Sequence, residues 1–220
     1  MTKAEEAYAE IRNRIELCTL EPGATFTEAT LQELLGVGRT PLREALQRLD
    51  HEMLVDARSG SGIRIRALSV DGQLRGLEVR RALESLAVTL TIARADDHII
   101  KELTRQRERL LSCKDLDSYL KAVATSHELF ITGADNHYLA QSLSPLYVLS
   151  RRFWRATITN SEFTIDAGKK HHSAILDAIM DGDSPAAQAA TTALNDYLVD
   201  EAISVLTARA QPTRGSNWSL

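Results

Sequence analysis

Two arginines stand at the opening of a helix in the stretch GVGRTPLREAL, residues 36–46: Arg39 just before Thr40-Pro41, and Arg43 just after. A helix N-terminus carries partial positive charge and is the least favourable end for cations, and the chain as a whole has a net charge of −4. The placement makes sense if an anion arrives there, because free N–H groups and the helix dipole together attract phosphate. An arginine at such a point can take guanine through two hydrogen bonds, worth roughly 1–3 kcal/mol of discrimination. Gln47, one helical turn beyond Arg43, carries the amide geometry that reads adenine. Arg58, Arg64 and Arg66 follow in a segment with the pattern of a hairpin, where they would meet phosphates or the minor groove. Between residues 36 and 67 six arginines face four acids, a positive balance inside an acidic chain.

A second group of reactive side chains lies further on. Leu116, Leu120, Val123, His127, Phe130 and Ile131 form one helical stripe, which turns His127 inward. His172 shares a stripe with Ile175, Leu176 and Ile179 and also faces inward. A lone histidine on an apolar face is an ordinary core residue, but two on different helices of one bundle can share a ligand or a metal. His171 reads as a surface residue. Arg81, one turn from Leu77 and three residues before Glu84, is suited to bidentate capture of a carboxylate; the plain alternative is a surface Arg81–Glu84 pair. Arg151 and Arg152 are secondary positions of the same sort.

The elements that must hold these groups are mostly helices. Tyr8, Ile11, Ile15 and Cys18 mark a first amphipathic helix. Thr27 caps a second, with Phe26 and Leu31 as a hydrophobic staple, Leu31, Leu34 and Leu35 as its buried face, and Gly36 closing it. Thr40 is expected to cap a third, with Pro41 at its first position and Leu42, Ala45, Leu46 and Leu49 facing inward. Residues 53–55 read as a strand, RSGSG as a turn, and Ile63 to Arg66 alternate with isoleucines in and arginines out. Three short helices and a two-stranded hairpin, in that order, make a winged helix-turn-helix. Residues 69–72 read as a polar linker. Beyond them the pattern predicts about six amphipathic helices with breaks near residues 95–97, 112–115, 133–136, 160–163 and 182–185.

Composition narrows the function. Apolar residues make up 44% and charged residues 25% of 220 residues, ordinary for a globular protein. No apolar run approaches the ~20 residues of a membrane span. The N-terminus lacks the apolar core of a secretion signal, so a cytoplasmic protein without membrane contact is expected, its two cysteines reduced. Enzyme motifs are missing. The stretch SHELF is not a zinc-protease signature, because Ile131 stands at its second histidine position; paired Glu-x-x-His motifs are absent; and the GSG turn is not followed by the Gly-Lys-Ser/Thr of a nucleotide-binding loop.

Residues 11–68, carried by EPGATFTEATLQELLGVGRTPLREALQRLDHEMLV and the SGSGIRI wing, closely resemble the GntR family of bacterial transcription regulators. The later stretches LEVRRALESLAVTLTIARADD, SHELFITGADNHYLAQSL and HHSAILDAIMDGDSPAAQAA resemble the FCD effector domain of the FadR branch of that family. The resemblance implies DNA contacts from Arg39, Thr40, Arg43 and a wing glycine, Gly60 or Gly62. Gly38, where the family usually has Ser or Thr, and Ala29, where many members carry Arg, depart from the pattern. The resemblance further implies an all-helical bundle, usually dimeric, whose central pocket senses a small organic acid and in many members holds a metal on one Asp and three His. Here the Asp position is Val123 and the third His falls at Leu194, with Asn195 adjacent as a possible third ligand. Zn²⁺ normally takes three or four protein ligands, so a site for Zn, Ni or Mn built on His127 and His172 looks incomplete.

The sequence therefore predicts a mainly α protein: a DNA-binding winged helix-turn-helix over residues 1–69 with a small hairpin wing, an all-helical effector-binding and dimerisation bundle over 70–212, and a flexible tail over 213–220. Its expected partners are a double-stranded DNA operator, a small organic acid held by Arg81, His127 and His172, and a second copy of the chain. The expected role is a ligand-responsive regulator, most often a repressor in this family, and not an enzyme. A helical-bundle metal-binding protein or enzyme, and a sensor-less architectural DNA-binding protein, are the alternatives.

Overall fold

Thr2 opens the chain with a reciprocal cap: its hydroxyl accepts the Glu5 N–H at 3.2 Å and the Glu5 carboxylate accepts the Thr2 N–H at 2.7 Å. In the computed structural model, which describes residues 1–57, 62–158 and 161–210, this cap begins α1 (Lys3–Glu16). β1 (Thr25–Phe26), α2 (Glu28–Leu35), α3 (Arg39–His51), β2 (Val55–Asp56) and β3 (Ile63–Ile65) complete the N-terminal unit. Its core is one cluster of Ile11, Ile15, Leu31, Leu42, Leu46, Leu49, Leu54, Ile63 and Ile65, closed from the other side by Val148 of the C-terminal bundle.

The expected caps hold at α2 and move at α3. Thr27 accepts the Thr30 N–H at 3.0 Å, and Gly36 ends α2 in the left-handed region at φ 64°. Gly38, not Thr40, is the N-cap of α3 and offers no side-chain bond, so Arg39 is the first helical residue and Pro41 the third. The helix starts early because extended Gly38 (φ −75°, ψ 172°) already turns the chain. Leu34 is exposed rather than buried, since α2 is short and presses only Leu31 fully inward.

The wing contains a third strand that the sequence pattern did not suggest. The order is β1-β3-β2, all antiparallel, with Thr25 opposite Arg64 and Val55 opposite Ile65. Ile63 and Ile65 are buried and Arg64 is exposed, as period-two alternation requires. Met53 lies outside the strand, exposed, with φ 57°. Arg58, Gly60 and most of the RSGSG turn lie outside the described residues.

Residues 69–72 are not a linker. Ser69 caps the next helix, its hydroxyl accepting the Gly72 N–H at 2.8 Å, so the connection shortens to residues 66–68. Six helices follow: α4 (Val70–Arg94), α5 (Asp97–Ser112), α6 (Leu116–Ala134), α7 (His137–Thr157), α8 (Ser161–Met180) and α9 (Ser184–Ala210). Asp96, Asp115 and Asn136 cap α5, α6 and α7. The long α4 lies against α9, α6 and α7. The largest bundle core draws Leu103 and Leu110 from α5, Phe130 from α6, Leu176 and Ile179 from α8, and Leu194 from α9.

Helix α7 is also the seat of the N-terminal unit. Arg12 Nη2 donates to Ser144 Oγ at 2.7 Å, Arg151 forms a bidentate pair with Glu16, and Arg152, fully buried, donates to the Arg66 carbonyl. Val148 packs between these polar contacts.

Candidate functional site

One candidate surface is built on the N-terminus of α3. Arg39 and Arg43 side chains are 71% and 58% exposed and lie on one face, with Thr40 beside them and Gln47 a turn further along, both exposed. The inward stripe Leu42, Ala45, Leu46 and Leu49 is buried against α1 and thereby aims that face outward. The cations are not left to the helix dipole alone. Glu28, at the start of α2, accepts Arg43 Nε at 2.9 and 3.2 Å and Arg39 Nε at 3.3 Å. The Arg43 hydrogen bond, with Coulombic help from both arginines, holds the Glu28 carboxyl below its ordinary range. Sequence reasoning missed Glu28; its signal was an acid in the first turn of the preceding helix, which reads as a dipole residue and acts as a clamp. Ala29 is exposed at the same end of α2.

In the described part of the wing, Arg64 is exposed on β3. Arg66 is tied down: its Nε donates to the Val55 carbonyl at 2.9 Å. Gly62 adopts φ 81°, and a Cβ there would meet the Phe26 carbonyl oxygen and Thr25 Cγ2 at 3.0 Å, so this turn position requires glycine. Arg48 is not part of the reading face; it stacks over Tyr8, 3.8 Å from the ring centre.

The second site is a cavity of about 40 Å³ inside the bundle, on the scale of a few water molecules. Its walls are mostly apolar: Leu120 and Val123 of α6, Trp154 of α7, Leu194 and Leu198 of α9. Into them project His127, His172, Arg80, Arg151 and the tyrosines Tyr119 and Tyr197. His127 and His172 meet here as the stripes predicted, ring centres 6.0 Å apart. Arg81 does not. It pairs with Asp196 on the surface, its side chain 46% exposed. The neighbouring residue Arg80, about 100° round the helix, is the buried one, 2% exposed, with Nη2 donating to Glu84 Oε1 at 2.8 Å. The one-residue error arose because both arginines follow Leu77 at helical spacing, and only the packing of α4 between α7 and α9 separates them. Asn195 is also corrected. It is 1% exposed but turned to α4, where its Nδ2 donates to the Leu77 carbonyl at 3.0 Å. His171 stacks with Tyr197 at 4.9 Å and is half-buried rather than a free surface residue.

Charge and hydrogen bonding decide what the cavity can hold. Burial, reinforced by Arg151 and Arg80, pushes His127 well below the usual imidazole value. Burial likewise lowers His172 to about 4, opposed by its bond to Gly168. Both rings are neutral near pH 7, and their neighbours assign the tautomers. Arg151 Nη1 lies 3.1 Å from His127 Nδ1; arginine only donates, so Nδ1 accepts and Nε2 carries the proton. That Nε2 is buried with no protein partner. His172 Nδ1 lies 2.9 Å from the Gly168 carbonyl, with Tyr119 Oη at 3.2 Å; a carbonyl only accepts, so His172 Nε2 presents a lone pair. Arg80 Nε and Trp154 Nε1 are further buried donors without protein partners.

These donors do not fit a divalent metal. A ligating histidine normally gives its other N–H to a carbonyl or carboxylate; His172 has this arrangement and His127 has it reversed. Val123 and Leu194 contribute hydrocarbon to the wall. Among the described residues no three His, Cys, Asp or Glu side chains gather into a metal-binding group. Two guanidinium groups, one paired with Glu84 and the other with Glu16, an imidazole N–H and an indole N–H lie instead beside the apolar wall, with Glu201 also in the lining.

Comparison with known proteins finds two family matches. Residues 3–65 match the description "Bacterial regulatory proteins, gntR family", and residues 76–196, more than half the chain, match "FCD domain". The chain is 27% identical over 179 residues to the HTH-type transcriptional repressor GlaR of Escherichia coli, covering 76% of this chain and 81% of that one. Among solved structures it superimposes on McbR/YncC of E. coli with a TM-score of 0.78 at 16% identity, covering 96% and 100% of the two chains. A GntR transcriptional regulator from a Rhodococcus species gives 0.71 at 20% identity, covering 94% and 99%. At these identities the structural likenesses speak for the fold. Among the described residues no helix is long and apolar enough to cross a membrane.

Proposed function

Because this chain belongs to the GntR family of bacterial regulatory proteins, with an FCD domain over its C-terminal half, it is a transcription regulator and not an enzyme, and we propose that it is an acid-responsive repressor. The N-terminal unit, residues 1–69, reads a DNA operator through Arg39, Thr40, Arg43 and Gln47, with Arg64 and the Gly62 turn set against the backbone. The bundle, described through residue 210, takes a small organic acid between Arg80, Arg151, His127 and His172, without a metal. The chain works as a cytoplasmic homodimer on a palindromic site. GlaR, one relative, is itself named a repressor.

The observation that carries the reading is a pair of exposed arginines at the start of α3, held ready by a single carboxylate, on the same chain as a mostly apolar cavity with buried, unspent donors. DNA phosphates take over the role of Glu28 at the helix N-terminus. The apolar wall suits the acid's hydrocarbon part and the guanidinium groups its charge. A sensor-less architectural protein has no use for unpartnered buried donors, which cost stability.

The test is to select operators from a random DNA pool with the full chain, then follow labelled-operator anisotropy while adding small carboxylates. Selection of a defined palindrome, and its release by an acid but not by the matching amide, supports the reading. Uniform binding to all sequences would overturn the operator half, and an affinity indifferent to every acid would overturn the sensor half.

A further inference from the structure

Arg151 belongs to both halves of the molecule. Its Nη1 donates to His127 Nδ1 at 3.1 Å, in the cavity. Its Nε and Nη2 donate to Glu16 Oε1 and Oε2 at 2.7 and 3.0 Å, and Glu16 is the last residue of α1. Arg151 as a whole is 7% exposed. No other side chain of the cavity wall forms an ion pair with the N-terminal unit among the described residues. We propose that Arg151 is the coupling residue: the carboxylate of a cavity ligand competes with Glu16 for it, and loss of the Glu16 pair frees α1, and with it the DNA-reading helix, from α7. The inference rests on the acid-sensing role argued above.

Three observations support the exchange. First, Arg151 gives its Nε–Nη2 edge to Glu16 and one Nη1 N–H to His127, so an anion that enters beside His127 and takes the Nη1–Nη2 edge must share Nη2 with Glu16. Bidentate arginine–carboxylate geometry is the strongest pairing available to either acid. Second, among the described residues the rest of the seam holds no other ion pair: Arg12 reaches the neutral hydroxyl and carbonyl of Ser144, Arg152 donates to the Arg66 carbonyl, Cys18 contributes a long thiol contact of 3.8 Å to the Arg152 carbonyl, and Val148 packs against the apolar core. Third, α1 cannot move alone. Ile11 and Ile15 share one fully buried core with Leu42, Leu46 and Leu49 of α3. A shift of α1 on α7 therefore carries the reading face as a rigid body, and in a dimer it changes the separation of two such faces.

The exchange gives a sign that a merely structural role cannot mimic. If Glu16 competes with the ligand, removing its charge strengthens acid binding; if Glu16 only props up the fold, removing it weakens binding or leaves it unchanged. The experiment uses the full chain carrying Trp218→Phe, so that Trp154, in the cavity wall, is the remaining tryptophan. Acetate, propanoate, butanoate and lactate are titrated against Trp154 fluorescence, with the corresponding amides as uncharged controls. Glu16→Gln should bind the acids more tightly, by about tenfold on the scale typical of coupled sites, and should lose the difference between free and operator-bound protein. Hydrogen exchange on the unsubstituted chain provides a second readout that needs no variant: acid should accelerate exchange at residues 13–20. If the acids bind but Glu16→Gln binds them no tighter and residues 13–20 exchange as before, the coupling role is wrong and the sensing role stands. If none of the acids binds the unsubstituted chain, the sensing role fails and the coupling role falls with it.

Discussion

The neutral imidazoles of the cavity make the stability of the bundle depend on pH in a defined window, and His172 allows the size to be worked out. Its value is about 4 in the folded protein, set by burial, against about 6.5 in an unfolded chain. Between those values the unfolded state binds a proton that the folded state refuses. Stability therefore falls as pH falls through the window and is unaffected above about pH 6.5. Each pKa unit corresponds to about 1.4 kcal/mol, so moving from pH 7 to pH 5 should cost about 2 kcal/mol through His172 alone. His127 is shifted in the same direction and adds to the loss. The depressed carboxylates Glu28 and Asp115 act in a lower range, since their ordinary values are 4.5 and 3.8. Urea unfolding at pH 7 and pH 5 isolates the histidines. His172→Asn, whose amide can still donate towards the Gly168 carbonyl, should lose about 2 kcal/mol less than the unsubstituted chain over the same interval. A proton NMR titration of the His172 ring is the direct check. Equal losses in the two proteins, or a ring that titrates near 6.5, would refute the argument that this imidazole is held neutral by burial.

Three other outcomes follow from the geometry. Arg43→Ala should weaken operator binding by roughly 1–3 kcal/mol and relax selectivity at one base pair, measured by anisotropy against operators substituted at each position; equal affinity for the original operator would mean that α3 is not the reading helix. Gly168→Ala would put a Cβ 1.9 Å from Tyr119 Oη, in a ring that is 5% exposed and rests on His172. The forced ring shift should destabilise the chain by roughly 1–3 kcal/mol and abolish acid binding, as read by thermal unfolding with and without acid. Arg81→Ala, by contrast, removes one exposed pair with Asp196, so it should change stability by about 1 kcal/mol or less and leave the acid response intact; loss of that response would return Arg81 to the pocket and displace Arg80.

Much of the reading surface was legible because its determinants are local. Leu42, Ala45, Leu46 and Leu49 define the inward stripe of α3 through spacing alone, and once that face is known Arg39, Arg43 and Gln47 must point outward. Even so, the cap was misplaced by two residues, since a capping threonine and an extended glycine both suit a helix start and the choice depends on where the preceding turn ends. Glu28 was invisible as a partner of Arg43 because the two lie on different helices and meet only when α2 and α3 cross.

The sequence by itself determined most of the helices and the family, because helical stripes, turn glycines and contiguous motifs are properties of neighbouring residues, but it left β1 unseen. It also determined that His127 and His172 face inward. The tertiary structure decided which arginine joins them. Arg80 and Arg81 are both one step from the stripe through Leu77, and only the burial of α4 between α7 and α9 makes the first a cavity residue and the second a surface one. It also decided the proton position on His127, which depends on Arg151 of another helix, whereas that on His172 is set by the Gly168 carbonyl one turn earlier in α8. The Glu16–Arg151 pair spans 135 positions in sequence, and no periodicity reaches that far: a long-range ion pair exists only where two independently folded surfaces come into contact.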